Sequence, residues 1–290
     1  MTDFLDVGVV DGPLLVFGGP YGNRQALDAL FAEAAAMGIR PGNMLCTGDL
    51  AAYAADPQYI VDRIRDAGIP VVMGNVEESL GTFAPDCGCG FAKGSDCDTL
   101  SAEWFRFAAA VVDDESKAWM RTLPRRIGFV AGGKRCVAIH GGIDQINQFL
   151  FPAADGRTLD RQCADAGADM MIGGHSGLPF TREIASGIWH NPGVIGLPAN
   201  DGTPRVWYGV IRPTSAGLVL EHRALSYDHV AAAAAIRRSG LPPEYANAIE
   251  TGIWPSDDIM PEADRQRRGQ AIASWSVTWP SLRPPLQAAE

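Results

Sequence analysis

The chain has no run of about 18 uncharged apolar residues, the length an α-helix needs to cross a bilayer. Membrane-spanning helices are set aside on that ground. Cationic side chains are in short supply: 24 Lys and Arg stand against 34 Asp and Glu, a formal charge of −10. A nucleic-acid binder needs Lys and Arg to displace counterions, so DNA, RNA and anionic membrane surfaces are excluded as primary partners. Cysteine is sparse as well. Six of them, at 46, 87, 89, 97, 136 and 163, are too few for a disulfide scaffold in 290 residues. The opening stretch carries Asp3, Asp6 and Asp11 where a signal peptide would carry Lys or Arg, and a cytoplasmic location is expected. No internal repeat or low-complexity block stands out.

What remains is ordinary globular composition, 47% hydrophobic with 33 Gly and 20 Pro. A chain of this length suits one compact α/β unit. Leu14-Leu15-Val16-Phe17 is an unbroken apolar run ending at Gly18-Gly19-Pro20, which predicts a strand buried on both faces. After Asn23 the period changes: Leu27, Leu30, Phe31 and Ala34 predict a helix stopped at Gly38. Met44-Leu45-Cys46 predicts a second strand, Asp56-Pro57 opens a second helix, and Ile69 to Met73 predicts a third strand. This β-α-β-α-β order places loops at the C-terminal strand ends, where open α/β sheets bind ligands.

Residues 82–98 read as a long polar loop. Helices are predicted around Leu100 to Val111 and Glu115 to Leu123. Paired strands are predicted at Arg126 to Ala131 with Lys134 to Ile139, and at Thr181 to Ala185 with Ile188 to His190. Asp169 to Ile172, Val206 to Ile211 and Leu218 to His222 add further strands, so two packed sheets are implied. Beyond Ser226 an Ala-rich helix and a Trp- and Pro-bearing tail predict an arm packed on the domain.

Four strand ends deliver polar groups to one sheet edge: Gly48-Asp49, Gly74-Asn75, His140-Gly141-Gly142 and Gly174-His175. A carboxylate, an amide oxygen and two imidazoles form a ligand set suited to Zn, Mn or Fe. Each residue alone also has a plain reading as a turn, a cap or a satisfied core group. With Gly19-Pro20-Tyr21-Gly22-Asn23, Gly174-His175-Ser176-Gly177 and Asn191-Pro192-Gly193, the order and spacing resemble the calcineurin-like metallophosphoesterases, in particular their small bacterial and archaeal phosphodiesterase branch.

That resemblance covers about Leu14 to Pro213 and implies a four-layer α-β-β-α sandwich. It implies a phosphoesterase domain over residues 1–225, with 82–98 as a Cys-bearing insertion and 226–290 as a helical arm. It also implies that the first metal site is lost, because Gly19, Tyr21 and Gly177 stand where that family places ligands. The second site is kept as Asp49, Asn75, His140 and His175, holding one divalent ion, Mn, Fe or Zn. Val76 replaces a family histidine that assists the leaving group, so Asp144, Tyr21 or a cysteine would have to substitute. Tyr21, Asn23, Arg24 and Gly141 are the expected contacts to a small phosphorylated substrate, although Arg24 reads equally as an exposed helix-start residue.

Cys87, Cys89 and Cys97 lie within eleven residues. They suggest a structural Zn site completed by Cys163, a His or an Asp, or a loop supplying a replacement ligand, or plain reduced thiols. Cys46 and Cys136, inside apolar strands, read as small core residues. The glycines at 18, 19 and 22 also invite a dinucleotide reading, but their spacing is wrong for the fingerprint and the histidine motifs are left unexplained. The rival to an enzyme is a non-catalytic relative that binds a phosphorylated ligand or a protein partner.

Overall fold

The computed structural model describes residues 3–280. Its elements follow from side-chain periodicity. In β2 (Leu14–Phe17), Leu15 and Phe17 face one apolar layer, while Leu14 and Val16 face another. β5 (Lys134–Ala138) divides the same way: Cys136 and Ala138 point between the sheets, and Val137 points outward beneath α6 (Gly156–Asp165). Strands apolar on both faces need cover on both faces. That requirement produces four layers here.

The first sheet runs in the order β11 (Trp275–Pro280), β10 (Gly217–Leu225), β9 (Val206–Thr214), β2, β3 (Met44–Cys46). The second runs β1 (Phe4–Val10), β4 (Arg126–Ala131), β5, β6 (Met170–Ile172), β8 (Gly187–Pro192), β7 (Pro179–Ile184). Val16, Leu45, Phe129, Met170 and Ile211 fill the space between them. On the outer face of the first sheet lie α1 (Arg24–Ala36), α2 (Pro57–Asp66), α4 (Asp96–Val111), α7 (His229–Ser239) and α8 (Pro243–Thr251), which share one large core. Smaller helices, α3 (Asn75–Gly81), α5 (Asp114–Met120) and α9 (Glu262–Arg265), complete the chain.

Three segments depart from expectation. The strand expected over 69–73 is reduced to a single parallel bridge between Cys46 and Val71. Pro70 has no N–H to give a ladder, and the Met73 N–H turns away to the Pro124 carbonyl. β1, unexpected from a sequence broken by Asp6 and Gly8, pairs in parallel with β4 and lays the Phe4 ring against Gly128. The arm expected as helical ends in β11, which pairs antiparallel with β10 through alternating half-buried and exposed residues. Residues 281–290 of that arm lie outside the described residues. No helix among the described residues is long and apolar enough to cross a membrane.

Candidate metal centre

Asp49 leaves β3 through Thr47-Gly48, Asn75 opens α3, His140 follows β5, and His175 follows β6 through Gly173-Gly174. Closing these loops on one point demands special backbone. Asp49 and His175 hold φ values of 61° and 56°, a left-handed conformation that L-residues with side chains disfavour. Such strain persists only where surrounding contacts enforce it. Gly48, at φ 96°, allows a close approach that a side chain would block, since a Cβ there would sit 2.7 Å from the Val72 carbonyl oxygen.

Glu77 is the residue that enforces the loop. Fully buried at the third position of α3, it accepts hydrogen bonds from the N–H groups of Gly74 (2.9 Å), Asp49 (2.8 Å) and Leu50 (2.7 Å). One carboxylate thereby ties the Asp49 loop to the start of the helix that carries Asn75. The sequence contained this residue in Gly74-Asn75-Val76-Glu77, but nothing in the motif said what the carboxylate would hold. Asn191 is comparable. Its amide donates to the Gly174 carbonyl and the Ser176 hydroxyl, both at 3.0 Å, and steadies the loop bearing His175.

The four side chains meet. His140 Nδ1 lies 2.6 Å from the Thr47 carbonyl oxygen, an acceptor only, so Nδ1 carries the proton and Nε2 turns a lone pair inward. Asn75 spends its amide N–H on the Cys87 carbonyl (2.9 Å), which turns its Oδ1 inward too. From His140 Nε2 the distances are 3.0 Å to Asn75 Oδ1, 3.1 Å to His175 Nδ1 and 3.2 Å to Asp49 Oδ2. Asp49 Oδ2 and His175 Nδ1 are 3.9 Å apart. All four residues are buried. Among the described residues, Asp49, His140 and His175 are the one group of His, Cys, Asp or Glu ligand atoms that all lie within 4.8 Å of one another.

Burial opposes ionisation of Asp49, yet the two imidazoles outweigh it and hold its carboxyl well below the ordinary carboxylate range. Burial likewise opposes charge on His140, but the Asp49 carboxylate beside it raises its pKa. His175 moves the other way, lowered by burial. Glu77 is pushed up to about 7, first by burial and then by the charge on Asp49.

Beside this polar cluster the edge is aromatic. The Tyr21 ring lies directly over Gly19, in the space a Cβ would need. A Cβ on Gly177 would sit 3.4 Å from the Trp254 ring, which reaches over from the C-terminal arm. Tyr53 packs edge-on against Tyr21 at 4.7 Å between centroids, and Phe149 stacks on His175 at 4.1 Å. Tyr21, Tyr53, Phe149 and Trp254 line a pocket into which Asp49 and His175 open.

Other expected site residues are engaged elsewhere. Asn23 is buried as the cap of α1, accepting from the Ala26 N–H (3.1 Å) and donating to the Gly196 carbonyl and the Tyr227 hydroxyl. Arg24 pairs with Asp28 and lies over the Tyr59 ring, and neither Asn23 nor Arg24 lines the pocket. Gly141 packs tightly against the backbone of Ile146 and Gln148. Asp144 is exposed and faces Arg161.

The cysteines do not gather as a thiolate cluster. Cys87 and Cys89 are joined in a disulfide, Cys97 contacts Asp258 Oδ1 at 3.2 Å, and Cys163 sits on the buried face of α6 with its thiol on the Ala168 carbonyl. Cys87 and Cys89, two positions apart, are oxidised to one disulfide and leave no thiolate for an ion. The loop still reaches the centre, since Cys89 Sγ lies 3.5 Å from Asn75 Nδ2. Cys46 and Cys136 are buried core residues.

No family model matches the chain. It is similar to an uncharacterized protein of Methanocaldococcus jannaschii, 24% identical over 208 residues that span 68% of this chain and 79% of that protein. Two solved structures share its fold. A metallophosphoesterase from Sphaerobacter thermophilus aligns at TM-score 0.65 and 19% identity over 84% of this chain and all of its own. A hypothetical protein from Pyrococcus horikoshii aligns at TM-score 0.68 and 15% identity, covering 83% of this chain and 99% of its own. The fold is that of the calcineurin-like metallophosphoesterases.

Proposed function

We propose that the protein is a hydrolase of a small phosphate ester that works with one divalent metal ion held by Asp49, Asn75, His140 and His175. One observation carries this reading. The Thr47 carbonyl takes the Nδ1 proton of His140 and the Cys87 carbonyl takes an amide proton of Asn75, so neutral His140 Nε2, Asn75 Oδ1 and the Asp49 carboxylate all turn acceptors toward one point. Acceptors gathered at 3.0 to 3.2 Å need positive charge among them, which a divalent ion supplies when bound and a proton on His140, favoured by the Asp49 carboxylate, supplies otherwise. A carboxylate, an amide oxygen and two imidazoles form a borderline donor set that suits Mn, Fe or Zn.

Such an ion supplies Lewis acidity toward a phosphoryl oxygen and toward water. The chain's own residues do the positioning. Thr47 fixes the His140 tautomer, Glu77 fixes the Asp49 loop, and Phe149 fixes the plane of the His175 ring. Hydrolysis joins the oxygen of one water to phosphorus and breaks the ester P–O bond, and the alcohol departs with a proton. The Val76 side chain has no proton to give, so esters of acidic alcohols are the favoured substrates.

The positions that would hold a second ion, 19, 21 and 177, are two glycines and a tyrosine, with the Tyr21 ring over Gly19 and the Trp254 ring over Gly177, which supports a mononuclear site. Metal analysis of purified wild type, Asp49→Ala and His175→Ala tests the reading. We expect near-stoichiometric metal in wild type and its loss from both variants; equal content in all three removes the proposal. Bound metal with no turnover across a panel of aryl phosphomonoesters and diesters favours instead a relative that only binds phosphorylated ligands.

A further inference from the structure

Among the described residues, the lining of the pocket beside the metal centre includes no Lys or Arg; Asp49 is its one acidic residue, and the rest of its wall is largely apolar and aromatic. That wall is assembled from distant parts of the chain: Tyr21 from the first loop, Tyr53 after Asp49, Phe149 after β5, and Tyr245 and Trp254 from the C-terminal arm. Tyr53 is held at φ 45°, a costly conformation for an aromatic residue, and it contacts Tyr21 at 4.7 Å and Tyr245 at 5.0 Å. Trp254 is anchored by its indole N–H on the Pro198 carbonyl and by its backbone N–H on Asn200 Oδ1. Each ring is fixed before any ligand arrives, which lowers the entropy cost of binding. The cavity measures about 70 Å³, room for about two waters, so an aromatic ring is only partly enclosed and rests against the rings at its mouth.

We infer that this pocket is a ring-binding subsite that seats the aromatic group of a phosphate ester whose phosphoryl end reaches Asp49 and His175. The inference rests on the metal-hydrolase reading and adds the chemical class of the organic group. Charge narrows it further. A divalent cation beside ionised Asp49 leaves a net charge of at most about +1, less to the extent that Glu77 behind it is ionised, with no Lys or Arg among the described lining residues, which balances no more than an ester of single negative charge. A phosphate dianion or a polyphosphate chain would enter a low-dielectric wall without a counterion.

The test is calorimetric titration of Mn²⁺-equilibrated protein with diphenyl phosphate, dimethyl phosphate and phenyl phosphate. Diphenyl phosphate is expected to bind about tenfold or more tightly than dimethyl phosphate, and more tightly than the dianionic phenyl phosphate. Trp254→Ala is expected to cut the diphenyl-to-dimethyl ratio about tenfold while Mn²⁺ uptake keeps its wild-type stoichiometry. Tyr245→Leu serves for the same ratio if the first variant does not fold. Ser256→Lys, on the pocket wall, should shift preference toward phenyl phosphate. Equal binding of the diphenyl and dimethyl esters, with Mn²⁺ taken up normally, overturns the ring subsite and leaves the metal reading standing. A wild type that takes up no Mn²⁺ yet still prefers the diphenyl ester overturns the metal reading and keeps the subsite.

Discussion

Two pairs of buried histidines face each other in this molecule, and they behave in opposite ways. His140 and His175 stand 5.0 Å apart between ring centroids, and His190 and His222 stand 4.6 Å apart. The second pair sits among apolar side chains, sharing only the Thr181 hydroxyl and, for His222, the stacked Trp275 ring. Burial then lowers both pKa values, that of His190 to about 3, and the neighbouring His190 lowers His222 further. The first pair differs by one carboxylate and one amide oxygen within about 3 Å of His140. Burial makes a neutral, packed histidine; burial with converging oxygen acceptors makes a place for a cation.

The largest expected effect breaks the symmetry between the pairs directly. His140→Ala should lower Mn²⁺ affinity by at least ~100-fold, because it removes the donor nearest to all three others. His190→Ala should take up Mn²⁺ as wild type does and show its defect only in stability, about 2 kcal/mol by urea unfolding, from the cavity it leaves. Metal loss in the His190 variant would erase the distinction. Next comes Glu77→Gln, which sets an amide N–H against backbone N–H groups. It should cost about 2 kcal/mol of stability and roughly tenfold in Mn²⁺ affinity, measured by melting and by titration.

A smaller effect concerns pH. The folded pKa values of His190 and His222 are depressed, so the unfolded chain binds more protons below the ordinary histidine range. Their stabilising effect is complete above pH ~6.5 and declines as pH falls toward about 3, the folded value for His190. Between pH 7 and 5 the pair should lower the Tm of the metal-free protein by roughly 5 °C relative to a His190→Asn, His222→Gln variant, in which the opposing gains from Glu77 and His140 remain. The same slope in both proteins would mean that the pair is not buried neutral. Smallest of all is Arg24→Ala. Its exposed pairing with Asp28 leaves it outside both clusters, so stability should shift by less than ~0.5 kcal/mol and dimethyl phosphate affinity should hold.

The positions of Asp49, Asn75, His140 and His175 at strand ends were legible because each follows an apolar run and stands beside a glycine. Those are local signals, readable within a few residues. The two-sheet architecture was legible for the same reason, through strands such as β2 that are apolar on both faces. Glu77 was visible only as a letter in a motif, since what it does depends on N–H groups 27 and 28 residues away. Asn23 looked like a substrate contact and is a helix cap whose amide is used by Gly196 and Tyr227. Cysteine spacing suggested a metal cluster, but spacing does not say whether sulfurs meet each other or an ion. β1 and β11 were missed because edge strands half open to solvent lack an unbroken apolar pattern.

The sequence by itself determined the buried strands, the longer amphipathic helices and which polar residues stand at their ends, because apolar periodicity and glycine placement act through neighbours along the chain. Only the tertiary structure decided that Trp254 lies over Gly177, that Tyr21 fills the space above Gly19, and that the Cys87 carbonyl turns the Asn75 oxygen inward. Those contacts depend on how loops and the C-terminal arm pack once the two sheets have met. No local pattern encodes a distance between residues that the chain separates by tens of positions.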